Sequence, residues 1–489
     1  MPYFFTAFFC EKTVKMIIDK SNKKIYIKSN FLGDNMQNMT AGNPLKLIIK
    51  FSIPLLLSNI FQQIYSISDI ILVGRLIGVQ ALAAVGAAAP LFFILVVVSI
   101  GFTNGLTVIT AQSFGAQNFA RMRRSVAMAT MLSCGFTVIF SVIMFFCLNF
   151  LLHLMNVPEE IFAETKKFLV VICAGVIFIV GFNFLSGLMR ALGDSKTPLY
   201  FLIFTTVINI ILNVIFIYFF KMGVDGSALG TVVAMFISVI CCLMFMSKKF
   251  SILRPNSGDW HFDAKFCGEH LAIAVPMAIQ FSIIALSLAV TQTICNKFGF
   301  ATIAAMTAAL RVEQLATQPM VSIGIAMATY VAQNYGAQKI GRIRRGVFDA
   351  SMVVLAMSAV LAAFVFAFGE DIIKIFVSEK DTPKELFAEV LQMAKTYMHI
   401  SIVFYFFLGQ IFIFRNSCQG MGNSVMPMIS SFVELCMRCF AAIYLTSIIG
   451  FVGLCYASPI AWIGGVSVVC IGYYISIYRI KQKLAHKKA

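Results

Sequence analysis

Apolar runs of about 20 residues or more recur along the whole chain, and they are continuous rather than alternating. Runs of this kind predict membrane-spanning helices, and the lack of a two-residue period argues against a transmembrane β-barrel. Twelve spans are read, six in each half. In the first half they cover 45–73, 81–110, 126–150, 168–189, 199–220 and 228–246. In the second half they cover 272–295, 301–331, 350–368, 398–414, 428–449 and 452–478. The expected organisation is an all-α integral membrane protein: residues 1–44 as a weakly ordered arm, 45–246 and 272–478 as two six-helix lobes, 247–271 as a polar connector, and 479–489 as a basic tail. Met36 or Met39 is a candidate initiator, because the hydrophobic body begins just after them.

The two halves are near copies. Ala111 to Arg124 aligns without a gap on Ala332 to Arg345, 221 positions later, and eight of the fourteen pairs are identical. Pro54 matches Pro276, Gly78 matches Gly299, and Ser99-Ile100-Gly101 matches Ser322-Ile323-Gly324. Gly193 to Pro198 matches Gly422 to Pro427. So long a period is not that of a solenoid; it suits duplicated membrane domains facing each other across a central site.

Composition agrees: 60% of the 489 residues are hydrophobic and 12% are charged, too apolar for a soluble domain. The net charge of +17 is explained by the side of the membrane on which Lys and Arg gather, without a nucleic-acid partner. With twelve spans, 26 of the 38 Lys and Arg residues fall on the side that holds both termini, and 9 fall on the other. Both termini, the connector and the two Arg clusters are therefore expected in the cytoplasm. Cys436 and Cys439 form a Cys-x-x-Cys inside a helix with no second pair, so they read as packing residues and no metal is expected. The five His residues are isolated, and there is no paired acid motif and no phosphate-binding loop, which argues against an enzyme or an ATP-driven pump.

A carboxylate inside a span is costly and so marks a candidate site. Three qualify: Asp69, Glu313 and Glu434. Gln62, Tyr65 and Asp69 share a helix face, and Asn209 and Asn213 are four apart in the fifth span. Asp69, Asn209 and Asn213 are read as a cation-coupling site that takes a proton or Na⁺. Glu434 and Arg438, also four apart, are read as a structural ion pair. Arg311, Glu313 and Gln314, with Gln62 and Tyr65, are read as polar walls of a substrate cavity.

Several stretches resemble the multidrug and toxic compound extrusion (MATE) transporters: Phe51 to Pro54 with Tyr65, Asp69 and Gly74; Ala81 to Gly86; the repeated Gly-Ala-Gln stretches; Arg190 to Pro198; and Glu434 with Arg438. The resemblance implies two six-helix lobes in a V around a central cavity. It also implies antiport of small organic cations or drugs against H⁺ or Na⁺, by a monomer in the cell membrane with no cofactor. It makes Asp69 the coupling acid and Asn209 its partner. Asn213 stands where the family often has Asp, and the seventh span lacks the acid some members carry, which leaves the coupling ion open. The alternative is a lipid-linked oligosaccharide flippase of related plan, whose cavity is expected to be strongly basic.

Overall fold

The computed structural model describes residues 37–376 and 383–486, and those residues form helices joined by short turns. The first half comprises α1 (Pro44–Leu76), α2 (Val79–Gly115), α3 (Phe119–Leu154), α4 (Glu159–Ala191), α5 (Lys196–Phe219) and α6 (Val224–Lys249). The second comprises α7 (Ala264–Cys295), α8 (Phe300–Gly336), α9 (Ile340–Phe376), α10 (Lys384–Val403), α11 (Tyr405–Gly420), α12 (Val425–Ile449) and α13 (Phe451–His486). Eleven of these are long and apolar enough to cross a bilayer, and α10 and α11, bent by 51° at their junction, together make a twelfth span. Residues 1–36, including Met36, lie outside the described residues.

Most helices run well past their apolar runs. The tenth span starts at Lys384 rather than near 398, because Glu385, Glu389 and Lys395 continue the helix without continuing its apolarity. The connector is shorter than read from sequence: Asp263 caps α7 by accepting from the backbone N–H groups of Lys265 and Phe266, so 264–271 is already helix.

The repeat holds at the level of backbone angles. Gln117 and Gln338 end α2 and α8 at φ +56° and +57°, and Gly193 and Gly422 follow α4 and α11 at +83° and +85°. Both α2 and α8 are unbroken helices of 37 residues, 221 positions apart, so Gly101 is equivalent to Ser322 and not to Gly324. The Ser-Ile-Gly match of the sequence is therefore two residues out of register.

The first helix of each half is shared with the other half. Ile48, Phe51 and Leu55 of α1 lie in the core of the second half, whereas Val73 at the far end lies in the core of the first. Ala274 and Ala278 of α7 lie reciprocally in a core of the first half.

The halves close on each other at the Gly-Ala-Gln end. Gln112 donates to the Gly420 carbonyl (2.9 Å) and its repeat mate Gln333 donates to the Ala191 carbonyl (2.9 Å). The two acceptors are themselves repeat mates. A β-carbon on Gly115 would sit 2.0 Å from the Gln333 carbonyl oxygen, and one on Gly336 would sit 1.8 Å from that of Gln112. Only glycine permits this approach. A strap over the seal joins both halves: Gln37 donates to the Gly193 carbonyl, Met39 N–H donates to Gln333 Oε1, and Arg342 holds the Met39 and Gly42 carbonyls. The first Arg cluster is held by the end of the connector, through Arg124 to Asp263 (2.5 Å), and by the first turns of α7, through Arg121 to Glu269 (2.8 Å).

Candidate functional site

Among the described residues, the helical bundle holds at least three polar places that bear on function. The first is in the first half, where α1, α5 and α6 meet. Asp69 Oδ1 accepts from Asn213 Nδ2 (2.6 Å) and from Ser227 Oγ (3.3 Å). Asn209 Nδ2 donates to Thr231 Oγ1 (3.2 Å), and the Tyr65 hydroxyl lies 3.3 Å from the same oxygen. Asn209 and Asn213 are buried, at 1% and 0% exposure. The three residues read as a coupling site are thus brought together, with Tyr65 beside them, while Gln62 is exposed. Among the described residues no cation pairs with Asp69. Ser227 and Thr231 were not picked out from sequence, although their four-residue spacing on α6 puts them on one face. Immediately after Asn213 the helix widens into a π-helical turn, Ile215–Phe219. Such turns are frequent at functional sites.

The second place is inside the other half. Glu313 Oε2 accepts from the hydroxyls of Tyr397 (3.0 Å) and Tyr405 (3.5 Å), both nearly fully buried. Glu313 therefore points into its own lobe, toward α10 and α11. Arg311 and Gln314, on other faces of α8, are exposed.

The expected Glu434–Arg438 pair does not form. Glu434 pairs with Arg415 of α11, and Ser430 donates to the same carboxylate oxygen (3.2 Å). Helical spacing puts Glu434 and Arg438 on one face, but the neighbouring helix brings a closer guanidinium. Arg438 instead lies within electrostatic reach of Glu313, and its Nε has no partner among the described residues.

The third place is a cavity of about 240 Å³ between the halves, walled by α2, α4, α7, α8 and α11. Its polar lining includes Asn104, Arg190, Gln280, Arg415, Asn416 and Gln419. None of Gln62, Tyr65, Arg311, Glu313 and Gln314 lines it. The reason is height in the bundle. Arg311 to Gln314 lie 22–25 residues from Gly336 at the sealed end, about 35 Å along the helix, whereas Asn104 is 11 residues, about 16 Å, from Gly115.

Two six-helix repeats in parallel order, with a central cavity and a polar site within each half, form a transporter-like plan. The MatE family model matches residues 54–215 and 276–444, which takes in most of both repeats. The chain belongs to the MatE family. This is the extrusion family that the sequence resembles, and its members are transporters rather than enzymes. As a MATE protein the chain is similar to the "Probable multidrug resistance protein YpnP" of Bacillus subtilis, at 27% identity over 81% of this chain and 87% of the relative. It is likewise similar to "Probable multidrug resistance protein YoeA" of the same organism, at 28% identity over 88% and 94%. Its fold matches a MATE transporter solved in the bent conformation with a TM-score of 0.83, at 20% identity, over 94% of this chain and all of the other.

Proposed function

We propose that this MATE protein is a secondary active exporter of small amphiphilic, drug-like molecules, driven by inward flow of H⁺ or Na⁺ through the Asp69 network. The observation that carries the reading is an orphaned acceptor: Asn213 Oδ1 is buried without a hydrogen-bond partner among the described residues, while Nδ2 of the same amide donates to Asp69. Turned over, that amide offers its oxygen to a carboxyl group that has gained a proton, or to Na⁺ held by the carboxylate. The network thus has two arrangements that differ by one positive charge. Asp69 stands near the far end of α1, and the start of the same helix is packed in the other half beside the seal. An ion that binds the two packings of α1 unequally shifts the equilibrium between them, as coupled transport requires.

In this reading both termini and the sealed Gly-Ala-Gln end face the cytoplasm, as the positive-inside pattern leads one to expect, and the structure is closed on that side. In this reading the protein works as a monomer in the cell membrane. The flippase alternative is less supported: the relatives named above bear the name of probable multidrug resistance proteins, and the cavity, although its charged lining residues are two arginines, is small for a lipid-linked oligosaccharide.

The test is transport in proteoliposomes, with a pH gradient and a Na⁺ gradient imposed separately on wild type and Asp69→Asn. Dye movement should follow one gradient and vanish in the variant. Equal movement in both proteins would overturn the reading. Movement of a fluorescent lipid without movement of any dye would support the flippase instead.

A further inference from the structure

We propose that Arg190 forms an anion-recognition subsite in the central cavity, so that the transported molecules are amphiphiles carrying a carboxylate, sulfonate or phosphate group. The inference rests on reading the cavity as the transport path. It sets the substrate class against the organic cations expected from the sequence resemblance.

The charges of the wall carry the argument. Among the described residues, two arginines and no carboxylate line the cavity. Arg415, itself 6% exposed, is neutralised by Glu434 behind the wall, but its Nε is buried with no partner among the described residues. Arg190 has only a neutral partner, Asn104 Oδ1 at 3.0 Å, and no ion pair among the described residues. A guanidinium has five N–H donors in a fork that fits a carboxylate or phosphate, so most of them are available to a ligand. Much of the remaining lining, including Ile100, Phe281, Ile284 and Phe412, is apolar and suits the body of an amphiphile.

The repeat shows that the subsite is one-sided. Gln419 occupies the position of Arg190 in the second half, and its amide donates to Gln280 Oε1 (2.8 Å). The unpaired positive charge therefore belongs to the first-half wall alone. Asp69 cannot offset it: that carboxylate is 25 residues along α1 from Pro44, about 20 Å further from the seal than Asn104. The ion site and the substrate subsite are separate and opposite in charge. A cationic drug in this cavity would meet a like charge with no carboxylate to answer it.

The test uses three xanthene dyes of similar shape: fluorescein (anionic), rhodamine B (zwitterionic) and rhodamine 6G (cationic). Their binding to the purified full chain in phosphatidylcholine nanodiscs is measured without any gradient. Fluorescein and rhodamine B should bind about tenfold or more tightly than rhodamine 6G, the scale of one charge-assisted contact. Arg190→Gln should erase that preference and Arg190→Lys should restore part of it. Asn104→Asp neutralises Arg190 in place; it should erase the preference too, and it decides the matter if Arg190→Gln does not fold. Adding phosphatidylglycerol distinguishes the source of the anion. Loss of fluorescein binding only when Arg190 is present identifies a lipid phosphate as the occupant; no loss identifies a free organic anion. Rhodamine 6G binding as tightly as fluorescein to wild type, or a preference unchanged in both neutralising variants, would overturn the proposal. If the preference holds and depends on Arg190, but no gradient moves any dye, then the exporter reading fails and the subsite stands.

Discussion

Gly230→Ala is a one-carbon test of the Asp69 network. Gly230 lies on α6 against Asn213, and a β-carbon there would sit 2.1 Å from Asn213 Oδ1 and 3.3 Å from the Asn213 backbone nitrogen. Ordinary contact needs about 3.5 Å or more, so the Asn213 amide must move by more than 1 Å. Its 2.6 Å bond to Asp69 cannot survive that movement. A hydrogen bond to a charged group contributes about 1.5–3 kcal/mol, which is one to two orders of magnitude in an equilibrium constant. The same displacement removes the weaker bond, about 0.5–1.5 kcal/mol, that the turned-over amide makes to a protonated carboxyl, so the net loss of about 1–1.5 kcal/mol falls on the ion-free carboxylate. With H⁺ as the driving ion, the concentration that gives half-maximal transport should therefore fall about 5- to 10-fold, and turnover should slow as release becomes limiting. The alanine itself favours the helix by about 1 kcal/mol, so membrane abundance should hold. The assay is gradient-driven dye efflux from proteoliposomes across a range of ion concentrations. Adding Gly230→Ala to Asn213→Ala should cause no further loss, because the clashing atom is gone. Wild-type ion dependence in Gly230→Ala, at normal abundance, would refute the placement of Asn213 between Gly230 and Asp69.

The other predictions concern packing and the seal. Glu434→Ala leaves the buried Arg415 without its counter-ion and should cost about 3–5 kcal/mol, whereas Arg438→Ala should cost clearly less; thermal unfolding in detergent compares them, and equal losses would contradict the Arg415 pairing. Gly336→Ala puts a β-carbon 1.8 Å from the Gln112 carbonyl oxygen, so the sealed end should open, and a cysteine placed at Ala332 in a cysteine-free background should label faster from the cytoplasmic side. The backbone N–H of Phe266, then that of Lys265 and the Arg124 guanidinium, hold the Asp263 carboxyl below the ordinary aspartate range. A depressed folded-state value stabilises above the unfolded value and is lost as pH falls through the folded one. The melting temperature of wild type should therefore exceed that of Asp263→Asn at neutral pH, with the gap closing below the ordinary aspartate range; a gap that persists there would show that the charge is not its source.

The sequence by itself determined the number of spans, the duplication and the acid proposed as the coupling group. Span length and apolarity are set by the bilayer, the repeat is visible as identity, and an acid such as Asp69 stands out because a charge in hydrocarbon is rare. Asn209 and Asn213 could be joined to it because a four-residue spacing already fixes a helix face. Tertiary structure decided everything that depends on which helix lies next to which. Glu434 had a correctly spaced neighbour in Arg438 and paired across helices with Arg415 instead. Arg190, which by sequence counts among the cations of a cytoplasmic loop, lines the cavity because α4 ends beside α2. The glutamines of the Gly-Ala-Gln stretches read as repeat markers until the halves met and each reached a carbonyl of the other. Helical periodicity fixes the direction of a side chain on its own helix, whereas the partner it meets there is set by packing between segments hundreds of residues apart.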